Sequence, residues 1–175
     1  MQDISHTFPF ESYVLNILSA VSRKEGKILL AGTETGSDYG FDAIAPDGIS
    51  NLPGPCLIEI KYSASWESFR RVIDRSLRTN YNFASILLVT NQSSSRLNKL
   101  KANLHNRFPN NVIDIYGIEE IEKLSSQNPE AAFTHDKKYL NQAVEIVEDR
   151  DVNALTKQNL ASLKSAYLED QLLLC

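Results

Sequence analysis

Apolar positions along the first third of the chain change period more than once. Phe10, Val14, Ile17, Leu18 and Val21 recur at the three- and four-residue spacing of one helix face. The pattern therefore predicts a helix that Pro9 and Phe10 open and Glu25-Gly26 ends. Lys27 to Thr33 then reads as a strand, Glu34 to Gly40 as a loop with two glycines, and Phe41 to Ala45 as a half-buried strand. Pro46-Asp47-Gly48 marks a turn, and its loop runs on to Pro55. Cys56 to Tyr62 is a third strand, apolar except at Glu59 and Lys61.

Helical spacing returns from about Ser65 to Arg78, with Trp66, Phe69, Ile73 and Leu77 as the inner stripe and Arg71, Arg75 and Arg78 as the outer one. Ala84 to Thr90 is a continuous apolar run, the pattern of a strand covered on both faces. Ser94 or Ser95 is expected to cap a helix whose inner face is Leu97, Leu100, Leu104 and Phe108. Val112 to Tyr116 reads as a further strand and Ile118 to Leu124 as a short acidic helix. The first three strands are joined by loops too short to hold crossover helices, which predicts a meander. The later strands are separated by helices, so the sheet should be mixed. The expected fold is α/β, a central mixed sheet flanked by helices over residues 1–126. Residues 127–175 are expected to form a linker and a helical extension, with Gln127 to His135 as the linker and two amphipathic helices over 136–169. The apolar ending Gln171 to Cys175 suggests that the chain leads into a further domain.

Composition changes this picture in a few places. No apolar run approaches the roughly 18 residues of a membrane helix, and no basic-then-apolar leader opens the chain. Cys56 and Cys175 give neither a disulfide framework nor zinc-ligand spacing. A soluble, cytoplasmic setting is expected. The formal charge of −4 is unevenly spread. Residues 1–58 carry three basic and seven acidic side chains, residues 59–107 nine and three, and residues 108–175 six and twelve. The middle third is a basic island, which is either a pair of solvated helices or a patch for a polyanion.

Candidate chemistry starts with the third strand. Glu59 and Lys61 are two apart, so they project from one face together with Leu57, while Ile58 and Ile60 fill the other. Ionised groups rarely sit in such apolar surroundings unless paired or bound to a metal. Asp42, near the start of the second strand, would pair across to the Glu59 strand in a meander. Two adjacent carboxylates repel, and a divalent cation is the usual means of keeping both ionised. Oxygen ligands alone suit magnesium, with substrate phosphate completing the shell. Lys61 beside them would stabilise charge on a phosphate or orient the attacking water.

An Asp, a loop of some fifteen residues and then Glu-x-Lys on an apolar strand resembles the PD-(D/E)xK nuclease superfamily. The segment from Gly36 to Ala45, with Gly36, Asp38, Gly40 and Asp42, looks like the Gly-x-Asp-x-Gly-x-Asp signature of Mrr-like restriction endonucleases. The resemblance covers about residues 8–125. It departs at Phe41, where the superfamily more often has Pro, and at Glu59, where many Mrr-like proteins have Gln. The resemblance implies a restriction-endonuclease-like three-layer core and magnesium-dependent cleavage of double-stranded DNA, with manganese able to substitute. It implies Asp42, Glu59 and the Ile60 carbonyl as metal ligands, Lys61 as a catalytic group and Glu11 as a helix-borne acidic partner. Arg70, Arg71, Arg75, Arg78 and Ser63, just past the site strand, suit contact with the phosphate backbone. It further implies the effector end of a prokaryotic restriction or antiphage protein. Such a protein would self-associate and carry a sensor or nucleotide-binding domain after the nuclease.

Each residue also has a plainer reading. Glu59 and Lys61 form an ordinary ion pair if their face is solvated. Asp42 can serve a turn, and Glu11 can oppose the helix dipole. Asp38 reads as a loop former and Trp66 as core. His6, His105 and His135 have no partner spacing and read as surface residues. A catalytically silent nuclease fold used for binding or assembly, and an RNA-directed nuclease, are the alternatives to a DNA-cutting enzyme.

Overall fold

The computed structural model describes residues 7–32, 41–78, 82–133 and 135–136. The chain divides into two compact units, residues 1–124 and 125–175. In the first, helix α1 (Thr7–Lys24) leads to strands β1 (Leu30–Ala31), β2 (Ala43–Ala45) and β3 (Cys56–Lys61). Helix α2 (Trp66–Arg78), strand β4 (Ser85–Thr90), helix α3 (Ser94–Arg107), strand β5 (Val112–Tyr116) and helix α4 (Ile118–Gln127), whose last three residues fall past the division, follow. The five strands form one sheet in chain order, β1 to β5. β1–β2 and β2–β3 are antiparallel, whereas β3–β4 and β4–β5 are parallel. The meander and the mixed sheet expected from loop lengths are both present.

Chain-order progression with right-handed crossovers puts successive connecting helices on the same face of a sheet. The packing agrees with this rule. Leu57, Ile86, Leu88 and Ile115 of the sheet pack with Phe69, Val72 and Ile73 of α2 and Leu97, Leu100 and Leu104 of α3. Ala43, Ala45, Ile58, Ile60, Leu87 and Val89 face the other way, onto Val14, Leu18 and Val21 of α1 and Ile121 of α4. The result is an α/β arrangement in which helices cover both faces of the sheet. Strands β3 and β4 are buried along nearly their whole length, which is why they read as continuous apolar runs.

Four details differ from the sequence expectations. Among the described residues β1 is confined to Leu30 and Ala31, which pair with Ile44 and Ala43 at the sheet margin, and Ile28 and Leu30 are exposed. In α2 the buried stripe is Phe69, Val72, Ile73 and Ser76, and Leu77 is 45% exposed. Ser76 can occupy an inner position because it is small and its hydroxyl donates to the Val72 carbonyl at 2.8 Å. The start of α3 is not capped by its own serine. Glu119 of α4 accepts the Ser94 N–H at 2.9 Å instead. In the second unit, the expected linker contains the short helix α5 (Pro129–Ala132), whose Pro129 and Ala132 are buried. The two helices expected over 136–169 lie outside the described residues, apart from Asp136. Among the described residues no helix is long and apolar enough to cross a membrane.

Candidate functional site

The site begins with a compact loop. Gly48 closes the turn after β2 by donating its N–H to the Ala45 carbonyl at 3.0 Å, with φ +80°. A side chain there would meet the backbone of Leu52 and Gly54, so the loop that sets β2 against β3 requires glycine. The resulting register pairs Ala43 with Ile58. One residue earlier the pairing slips. The Asp42 N–H also donates to the Ile58 carbonyl, at 3.0 Å, so Asp42 and Ala43 both oppose Ile58 in the two-against-one pattern of a β-bulge.

The bulge re-aims the Asp42 side chain. Its Oδ2 accepts the Ile60 N–H at 2.5 Å, so a carboxylate stands where a β2 carbonyl would otherwise continue the ladder. A residue within a strand presents its N–H and its C=O to the same neighbour. The Ile60 carbonyl therefore leaves β3 on the Asp42 side too.

Glu59 and Lys61 share the α2 face of β3 with Leu57, as the two-residue period requires. The Glu59 side chain is only 5% exposed, and both its oxygens have cationic partners. Oε1 lies 2.6 Å from Lys61 Nζ, and Oε2 lies 3.4 Å from Arg75 Nη2, which reaches down from α2. Lys61 is 34% exposed, so the pair runs from the interior to solvent rather than along a solvated face. The Arg75 guanidinium sits 5.2 Å from the centroid of the Phe41 ring. Phe41 is thus a platform for Arg75 at the position where the resembling families favour Pro.

Burial pushes the Asp42 carboxyl up from 3.8 to about 7. The Ile60 N–H works against this, the negative charges of Glu59 and Glu11 add to it, and Lys61 opposes it. Glu59 and Glu11, from two different elements, are therefore both within electrostatic reach of Asp42. Carboxylates from three elements and the cations Lys61 and Arg75 are thus grouped at this end of β3, and burial sets Asp42 to exchange a proton near neutrality. The candidate donors for a metal are the carboxylates of Asp42 and Glu59 and the carbonyl of Ile60. Among the described residues no group of three or more His, Cys, Asp or Glu side chains is placed to hold a metal ion.

The remaining candidates fall outside this cluster. Ser63 is exposed just past β3, and Arg78 is exposed in the last turn of α2. Arg70 pairs with Glu67 at 2.7 Å and Asp74 at 3.2 Å, and Arg71 with Glu67 at 3.3 Å. Trp66 packs against the core and is not an open stacking surface. His105 and His135 are exposed. Gly36, Asp38, Gly40 and His6 lie outside the described residues. The sequence pattern did not signal the contact between Arg75 and Glu59. Nor did it signal a separate cavity of about 190 Å³ between α3 and β5, lined by Lys101, Leu104, His105 and Phe108 among others. None of the residues lining that cavity belongs to the acidic cluster. No protein-family model, no curated protein and no solved structure matches this chain.

Proposed function

We propose that the chain is a metal-dependent endodeoxyribonuclease of the PD-(D/E)xK type with a restriction-endonuclease-like core. One observation carries the reading. A buried Glu59, paired with a partly exposed Lys61, lies within electrostatic reach of Asp42, a carboxyl held at about 7 whose hydrogen-bond partner is a main-chain N–H. A desolvated carboxyl beside other carboxylates ionises fully near neutrality only when positive charge comes to it. The donor set consists of oxygens alone, which fits a hard cation such as magnesium, with manganese as its substitute. Asp42, Glu59 and the Ile60 carbonyl would hold the ion, and when bound it would supply charge against a phosphate and lower the pKa of a water.

The chain's own groups account for the remaining steps. Lys61 brings a fixed positive charge to the solvent side of the site, where it would oppose charge developing on a phosphodiester and orient the attacking water. Glu11 raises the demand for a cation at Asp42 and is the candidate partner for a second ion. Arg70, Arg71, Arg75, Arg78 and Ser63 follow the site strand, where a DNA backbone would pass. Cutting both strands needs two sites, so a pair of copies is the expected working form. In this reading the chain is the nuclease part of a prokaryotic restriction or antiphage protein, joined to a sensor or nucleotide-binding domain.

Incubation with supercoiled plasmid tests the proposal. Nicked and linear products should form with magnesium or manganese and disappear with chelator. Plasmid that is bound but stays intact would select the catalytically silent module, and preferential cutting of labelled RNA would select an RNA nuclease. Arg78→Gln offers a milder test. It should weaken DNA binding across sequences and reduce the slope of log affinity against log salt by about one, as loss of one phosphate contact does. Fluorescence anisotropy at several salt concentrations would measure it, and an unchanged slope would remove Arg78 from the interface.

A further inference from the structure

We infer that Arg75 is a positioning residue: it is the resident counter-cation of Glu59 and must leave that carboxylate before a divalent cation can use it. Arg75 thereby sets the cation affinity of the site. The inference rests on the nuclease reading above.

Three observations separate Arg75 from Lys61, the other cation on Glu59. Lys61 is held by its place on the same strand face and contacts Oε1 at 2.6 Å, whereas Arg75 arrives from a different element and contacts Oε2 at 3.4 Å. The Arg75 side chain is 46% exposed, so water reaches the guanidinium and can hydrate it when it leaves Glu59. It also has a second anchor, the Phe41 ring at 5.2 Å, which can support the face of the guanidinium while its edge changes partner. Glu59 is buried and needs compensating charge at all times. A half-exposed arginine at 3.4 Å satisfies that need and can still give way. Because α2 also carries Arg71 and Arg78, the released guanidinium would swing into a row of cations suited to phosphate oxygens.

Calorimetric titration of the chain with manganese chloride tests the inference. Removing a positive charge beside the cation should make Arg75→Gln bind manganese roughly three- to tenfold more tightly than the wild type. Arg75→Lys, which keeps the charge, should stay close to the wild type. The metal-free Arg75→Gln chain should melt earlier, because Glu59 loses a partner, and should recover with manganese. A purely structural arginine would leave affinity unchanged or weaken it, and either result overturns the inference. A second measurement needs no variant: the assigned Arg75 Nε–H resonance of the wild type should shift as magnesium saturates the site. A stationary resonance under saturation would likewise overturn the inference. If neither wild type nor variant binds manganese, the nuclease reading itself fails, and this inference fails with it.

Discussion

Asp42→Asn should remove nearly all cleavage while leaving the chain folded. The substitution is nearly isosteric, and an amide oxygen can still accept the Ile60 N–H, so the bulge at the end of β2 keeps its side-chain bond. What it removes is the negative charge. In the proposed nuclease that charge is one of two side-chain claims on the cation, so magnesium-dependent plasmid cleavage should fall roughly 10²- to 10³-fold, the scale of losing one electrostatic group at a reacting centre. Lys61→Met should produce a loss of similar size by another route, since it leaves both carboxylates and removes only the positive charge facing solvent. Lys123→Ala is the control, an exposed lysine of α4 that belongs to none of the groups assigned to the site or to DNA contact. Cleavage rates alongside circular dichroism would check all three. Full activity in Asp42→Asn would eliminate the assignment.

The part of the site carried by a single strand was legible in the sequence. A charged pair two residues apart in an otherwise apolar strand needs no tertiary information to share a face, and Glu59 and Lys61 do so. The helices were legible in outline for the same reason, since Leu97, Leu100 and Leu104 bury as their spacing requires. Features that depend on how two elements meet were not. The bulge at Asp42 arises from a one-residue slip against Ile58, and residue period carries no record of a slip. Leu77 stays outside because α2 buries Phe69, Val72, Ile73 and Ser76, and from that placement Arg75 reaches Glu59.

The charge pattern was legible only as a sum. The excess of basic groups over residues 59–107 is real, but Glu59 draws in Lys61 and Arg75, and Glu67 draws in Arg70 and Arg71. The island is thus less open than a count of lysines and arginines implies. A polyanion docking along α2 would have to exchange carboxylates for phosphates at several of these positions. Exchange of this kind makes binding sensitive to salt and, at Arg75, sensitive to the state of the site beneath it.

Asp42 should cost the metal-free chain stability as pH rises from about 4 to about 7, and Asp42→Asn should remove that contribution. In the folded chain Asp42 keeps its proton up to about 7, whereas in the unfolded chain the carboxyl releases it near 3.8. Between those values the folded state binds more protons than the unfolded state, so ionisation favours unfolding. The contribution is fully present below pH 3.8, shrinks across the window and is gone above about 7. Its size is on the order of a few kcal/mol, since each unit of separation corresponds to about 1.4 kcal/mol. That is a large fraction of the 5–15 kcal/mol typical of a folded domain. Asparagine carries no such proton, so the variant should gain on the wild type at pH 8 and match it near pH 4. Titrating groups outside the cluster are common to both chains and cancel in the comparison, whereas the effects of Glu59, Glu11 and Lys61 on Asp42 are part of what it reads. Urea unfolding of both proteins in chelator, at several pH values, measures the difference directly, and parallel stability curves would show that Asp42 is not a buried acid under charge stress. Adding manganese at pH 8 should then restore stability to the wild type far more than to Asp42→Asn, because the variant has lost both the stress and the claim on the cation. Equal recovery in the two chains would mean that the ion binds elsewhere.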